Sequence, residues 1–80
     1  MYFCYILFSN DLDKYYVGHC QAPIEQRLQK HLTNHKGFTG KAKDWIVVHL
    51  EAFDTKGDAF ARERYIKAQK SRAYIESLLS

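Results

Sequence analysis

The residues that most constrain this chain are Tyr2-Phe3-Cys4-Tyr5-Ile6-Leu7-Phe8, an uncharged run carrying aromatics throughout. It is too short for a free-standing helix. A strand that is apolar at successive positions points apolar side chains to both faces of its sheet, so both faces must be covered. The next residues, Ser9-Asn10-Asp11-Leu12-Asp13, are a turn signal, and Tyr15 to Cys20 reads as a second strand. The two form a β-hairpin. If it closes on Asn10-Asp11, Tyr5 lies directly across from Tyr16, and directly opposed residues share a face. An odd shift in register would separate them. Gly18, two residues past Tyr16, leaves a gap on that same face where a backbone or ligand can approach.

Beyond the hairpin the pattern changes period. Pro23 suits the first turn of a helix, where its missing N–H would be unpaired in any case. Ile24, Leu28 and Leu32 repeat every four residues and form one apolar stripe, so a helix is expected from Pro23 to about Asn34. A basic, glycine-containing loop runs to Asp44. Trp45 to Phe53, with Ile46-Val47-Val48 at its start, reads as a third strand. Thr55 and Asp58 resemble a capping box that opens a helix running to about Lys70, and Ser71 can cap a last short helix carrying Ile75, Leu78 and Leu79. The expected fold is α+β: a three-stranded, largely antiparallel sheet flanked by three helices, in the order β-β-α-β-α-α.

The 80 residues read as one domain spanning 1–80. A domain of this size buries only about 60% of its unfolded surface, so most of the six Tyr and five Phe belong to a small core. The charge of +3 permits a polyanionic partner without demanding one. Taken alone, the basic stretches Lys36–Lys43 and Arg62–Arg72 fit a solvated loop and a solvated helix face. Cys4 and Cys20 make no zinc-ribbon or CxxC pattern and are expected as two buried thiols, possible neighbours in the hairpin. No apolar run reaches the ~20 residues of a membrane span, and no basic region precedes Met1-Tyr2-Phe3. The expectation is a soluble, cytoplasmic protein.

Some residues resist a purely structural reading. Arg27 and His31 are four apart, on one side of their helix at the margin of the apolar stripe. Ala59, Glu63 and Ile66 fall at i, i+4 and i+7, which puts the Glu63 carboxylate on the inner stripe of its helix. A charge there costs several kcal/mol unless it is paired, hydrogen-bonded or metal-bound. An ion pair with Lys67 one turn on is the bland explanation. A surface pair of that kind contributes only about 0.3–0.5 kcal/mol, which hardly accounts for the position.

In combination these residues resemble the GIY-YIG endonuclease superfamily, most closely its small stand-alone bacterial members. Cys4-Tyr5-Ile6 resembles the first signature and Tyr16-Val17-Gly18 the second. Arg27-Leu28-x-x-His31 is similar to the family's helix motif, and Arg62-Glu63-x-x-Ile66-Lys67 to the stretch holding its metal-binding glutamate. The likeness runs from Tyr2 to about Leu79. Cys4 stands where the name-giving glycine would be, and apolar Ile75 falls where larger members carry an asparagine.

The resemblance implies a metal-dependent endonuclease acting on DNA in preference to RNA. It implies Mg²⁺ or Mn²⁺ on Glu63, with Tyr5, Tyr16, Arg27, His31 and Glu63 as the catalytic set. A lone carboxylate suffices in kind, since Mg²⁺ keeps several waters. Arg27 can grip a phosphate with two nitrogens. Tyr5 is expected to help activate water, with His31 as base and Tyr16 as orienting hydroxyl. Candidate nucleic-acid contacts are Gly18, His19 and Lys67 beside these groups, and Lys36, Lys41 and Lys43 in the basic loop. The domain is expected as a monomer or weak homodimer, with substrate shape or a protein partner supplying specificity. The alternative is a non-catalytic nucleic-acid-binding module that keeps the same fold.

Overall fold

The Tyr2–Phe8 run forms the middle strand of three, and helices cover both of its faces. The computed structural model describes residues 1–21, 23–33 and 42–79, with residues 30, 31 and 33 described in backbone alone. The elements are β1 (Tyr2–Ser9), β2 (Lys14–Gln21), α1 (Ile24–Thr33), β3 (Ile46–Phe53), α2 (Lys56–Ala68) and α3 (Arg72–Leu78). The sheet order is β2-β1-β3, with β1 antiparallel to both neighbours. The expected α+β class and element order hold.

Successive strand residues alternate between faces. Tyr5 and Leu7 point to one face, where they join Cys20, Ala42 and Trp45 in a buried cluster under Ile24, Leu28 and Leu32 of α1. Cys4 and Ile6 point to the other, where Val17 and Ile66 complete a second cluster, with Tyr74, Ile75 and Leu78 of α3 packed against it. Ile75 therefore serves this second cluster. Tyr5, Leu7 and Trp45 on one side, and Ile6 and Ile66 on the other, are among the largest fully buried side chains. Burying an aliphatic or aromatic side chain of this kind contributes roughly 1.5–3 kcal/mol. The two cysteines are free and buried, as expected. They are not neighbours across the hairpin, because Cys4 and Cys20 belong to opposite clusters.

The hairpin register differs from the expected one. Tyr5 pairs with Gly18, and Tyr16 with Leu7, a shift of two residues. The closing pair is Ser9↔Lys14, so Asn10, Asp11, Leu12 and Asp13 all lie in the connection. Its shape is set from outside the hairpin. The fully buried Ser9 hydroxyl donates to Asp44 Oδ1 at 2.6 Å and accepts from the Leu12 N–H at 3.1 Å. The Asp11 N–H donates to Asp44 Oδ2 at 2.8 Å. Asp13 takes φ 53°, a left-handed conformation that Asp tolerates better than most residues. An even shift keeps Tyr5 and Tyr16 on the same face, so they are diagonal neighbours instead of opposed ones.

On the other side of β1 a bulge lies between Ile6↔His49 and Leu7↔Val47. Thr55 caps α2 by accepting from the Asp58 N–H at 3.1 Å, and Ser71 caps α3 by accepting from the Tyr74 N–H at 3.1 Å. α2 stops at Ala68, short of the expected Lys70, because Lys70 turns left-handed at φ 48°. Among the described residues no helix is long and apolar enough to cross a membrane.

Candidate active site

Tyr5 reaches out from the central strand across β2. Its ring is wholly buried and passes over Gly18: a Cβ at position 18 would lie 2.5 Å from Tyr5 Oη and 2.6 Å from Cζ. Gly18 is therefore the residue that lets the tyrosine through. From α1, Arg27 Nε donates to the Tyr5 hydroxyl oxygen at 3.3 Å. Burial pushes the Tyr5 hydroxyl up to about 12, and the Arg27 guanidinium offsets only part of that rise. At pH 7 a group titrating there is phenolate in only about one molecule in 10⁵. Tyr5 is thus a neutral hydroxyl held in place by a permanent cation.

The second half of the site is on the opposite face. Glu63 is 9% exposed, on the inner side of α2 with Ala59 and Ile66. Its Oε1 lies 2.6 Å from His19 Nδ1, and its Oε2 accepts from Lys67 Nζ at 3.0 Å. Burial pushes the carboxyl up, but the His19 and Lys67 hydrogen bonds outweigh that, and its pKa is lowered overall. The group is an ionised carboxylate at neutral pH. An ionised carboxylate only accepts, so His19 Nδ1 must carry the proton on this bond. In a neutral His19, Nε2 is then the acceptor nitrogen. The Lys67 ion pair expected from the sequence is present, and His19 is the second partner the inner carboxylate required.

These two halves meet because β2 is an edge strand. Odd residues of β2 face α2 and even residues face α1, yet among the described residues no further strand pairs beyond it to keep the faces apart. Lys67 crosses the edge at one point: its Nζ bonds Glu63 and stands 5.6 Å from the centroid of the Tyr16 ring. Tyr16 in turn packs edge-on against Trp45, with centroids 6.4 Å apart. At the end of β2 a cleft of about 490 Å³ is lined by residues from both faces, among them His19, Cys20, Arg27 and Lys56. Tyr5, Tyr16, Gly18, His19, Arg27, Glu63 and Lys67 are thereby gathered around one strand edge.

Other candidates stand apart. Lys43 is exposed beside Asp44, at the hairpin-turn end of the sheet. The side chain of His31, and Lys36 and Lys41, lie outside the described residues. Arg62 does not belong to a solvated basic face. It bonds Glu51 of β3 through Nε at 2.9 Å and a terminal nitrogen at 3.2 Å, and His49 Nε2 lies 2.7 Å from the same carboxylate. Arg62 and Glu63 thus straddle the sheet, one fastened to β3 and the other to β2. Between them Cys4 is buried, which together with Glu51 and Glu63 pushes its thiol up to about 12 and makes it a poor nucleophile.

His19 is the residue whose importance the sequence understated. It was legible as a polar neighbour of Gly18, but the Glu63 contact follows from alternation: His19 points away from Tyr16 and Gly18, toward α2.

A Mg²⁺ ion is compatible with this donor set. Glu63 is ionised, each of its oxygens has a lone pair beyond the one already used, and one carboxylate is enough for an ion that keeps its waters. Lys67, the cation that would compete, has a half-exposed side chain able to swing away. No group of three or more His, Cys, Asp and Glu able to hold a metal occurs among the described residues, so a closed structural metal site is not present among them.

The family model described as the GIY-YIG catalytic domain matches residues 1–75. No curated protein and no solved structure matches the chain significantly.

Proposed function

The chain belongs to the GIY-YIG family, and we propose that it is a metal-dependent endonuclease that hydrolyses phosphodiester bonds, in DNA in preference to RNA. The observation that carries the reading is the cleft at the edge of β2, lined by both Arg27 and His19. Arg27 holds Tyr5 and His19 holds Glu63, so the family's tyrosine and glutamate are each one contact from the same space.

Hydrolysis requires a water made nucleophilic, negative charge neutralised on the phosphoryl group, and a leaving oxygen stabilised. Glu63 would hold the divalent ion, Mg²⁺ or Mn²⁺, which when bound supplies Lewis acidity to the phosphate. Arg27 meets the phosphate with the guanidinium nitrogens that do not face Tyr5. Tyr5, with its hydroxyl pushed up to about 12, works as an uncharged hydrogen-bonding group that orients the water. Tyr16 adds a second hydroxyl on the same face. The proton goes to a histidine: His31, one helical turn past Arg27, has that assignment, and His19 keeps Glu63 oriented. Gly18 admits the Tyr5 ring, and Lys67 neutralises Glu63 until the ion arrives. Lys36 and Lys41 take flanking phosphates, and Lys43, at the hairpin-turn end of the sheet, meets the nucleic acid only where it runs on past the cleft.

A plasmid-nicking assay with Mg²⁺ or Mn²⁺ and a chelator control tests the proposal. Nicking that needs the metal and is lost in Glu63→Ala supports it. Full metal-dependent nicking by that variant removes Glu63 from the site. The second reading, a binding module without catalysis, is favoured by one observation: both oxygens of Glu63 already have partners. It predicts salt-sensitive binding with no nicking in either metal.

A further inference from the structure

α2 carries one large apolar side chain that stays exposed beside the candidate site. Ala59, Glu63 and Ile66 fill the inner side of the helix, while Phe60 is 43% exposed. Tyr65, also exposed, packs against Tyr74 of α3, with centroids 6.2 Å apart, and not against a residue of the site. Phe60 stands at the site: its ring centroid is 5.0 Å from that of His19, tilted at 55°, and His19 bonds Glu63. The Arg64 guanidinium carbon lies 5.7 Å from the Phe60 centroid. Lys56, Phe60 and Arg64 are spaced i, i+4 and i+8, so they form one stripe along the helix. Lys56 lines the same cleft as His19 and Arg27. The pattern is cation, ring, cation, starting at Lys56 in a cleft that also holds Arg27 and passing over His19 at Phe60.

We propose that Phe60, between Lys56 and Arg64 on α2, is a stacking platform for an unpaired nucleobase, so that the nucleic acid the site takes is single-stranded where it crosses the edge of β2. The inference rests on the nucleic-acid reading above but not on cleavage. The charge favours a polyanion: the chain carries +3, and every charged residue of this stripe is a cation. The ring decides which polyanion. Every base has a π-face, and an exposed aromatic beside a backbone-binding groove stacks bases without regard to sequence. In a continuous duplex those faces are already stacked on their neighbours, so a solitary ring meets a base that is unpaired or has left the helix. Arg64, exposed on a long side chain, can cover the far side of that base through a cation–π contact.

The test is fluorescence anisotropy with a short labelled oligonucleotide, single-stranded or annealed to its complement, in chelator so that no cleavage intervenes. Wild type should bind the single strand more tightly than the duplex. Phe60→Ala should lose about tenfold in single-strand affinity, as removal of one stacked base does, with duplex affinity unchanged within error. Phe60→Trp should retain the preference. The salt dependence of Phe60→Ala should match wild type, because no phosphate contact is removed. Circular dichroism confirms that both variants are folded. Equal losses on the two substrates, no loss on either, or no binding by wild type would each overturn the proposal. A protein that binds this way and never nicks DNA refutes the nuclease reading alone. A protein that nicks DNA while Phe60→Ala binds like wild type refutes the platform alone.

Discussion

Replacing Gly18 by alanine adds one methyl group, and the structure specifies where it goes. The new Cβ would lie 2.5 Å from Tyr5 Oη, 2.6 Å from Cζ and 3.1 Å from Cε1. Comfortable contact between carbon atoms begins at about 3.5 Å, so the ring must retreat by roughly 1 Å. A long aliphatic chain would yield, but a tyrosine ring moves as a unit. This one is fully buried among Leu7, Cys20 and Trp45, and its hydroxyl is held by Arg27. Overpacking of this kind costs about 1–3 kcal/mol, against which the reduced freedom of the unfolded chain returns about 0.4–1. A net loss of about 1–2 kcal/mol lowers Tm by roughly 4–16 °C in a domain of this size. The same retreat displaces the hydroxyl that Arg27 holds at 3.3 Å. Misplacing a site by about 1 Å costs on the order of 10²-fold in rate, so Gly18→Ala should lose nicking activity well below its Tm. Thermal unfolding by circular dichroism gives the first quantity and plasmid nicking the second. A double-mutant cycle with Tyr5→Leu isolates the clash, and the pair should couple by about 1 kcal/mol or more. An unchanged Tm with unchanged nicking would mean that the ring retreats without cost, and the account of Gly18 would be wrong.

Other expectations follow from the same contacts. Tyr5, pushed up to about 12 from an ordinary value of 10, favours its neutral form in the folded state; its contribution holds below pH 10 and is lost as pH rises through 12. An alkaline absorbance titration should show a late tyrosine step that Tyr5→Phe lacks. Burial pushes Glu51 up, but hydrogen bonds from Arg62 and His49 bring it below its ordinary 4.5, so its contribution is full above that value and is lost as pH falls through the lowered one. Thermal unfolding of Glu51→Gln should accordingly depend less on pH below 4.5 than that of wild type. Ser9→Ala removes both the donor to Asp44 and the acceptor for the Leu12 N–H, and should cost about 1–3 kcal/mol in denaturant unfolding.

What the sequence revealed and what it hid separate along physical lines. The double-sided character of Tyr2–Phe8 was legible because alternation along a strand is local. The Thr55 and Ser71 caps were legible for the same reason. The hairpin register was not, because Ser9 and Asp44 are 35 residues apart, and their bond decides how long the connection is. Glu63 announced itself by its place on an apolar stripe. Its partner did not, since His19 points to the opposite face from Tyr16 and Gly18, and only an edge strand lets both faces serve one cleft. Arg62 showed in the sequence as one more basic residue, and its place over Glu51 became visible once β3 lay beside β1.

That the site wraps the outer edge of β2 has a consequence for its lifetime. Tyr5 with Arg27, and His19 with Glu63, sit in layers with separate cores, and among the described residues the strand between them pairs with another strand on one side only. A substitution in one core can loosen one half and leave the other intact. When β2 parts from β1, His19 leaves Glu63 and Gly18 leaves the Tyr5 ring, so each half loses its β2 residue in a single event. The opening that exposes the β2 amides to exchange with solvent is therefore the same opening that dismantles the site, and the exchange protection of those amides measures how long an assembled site persists.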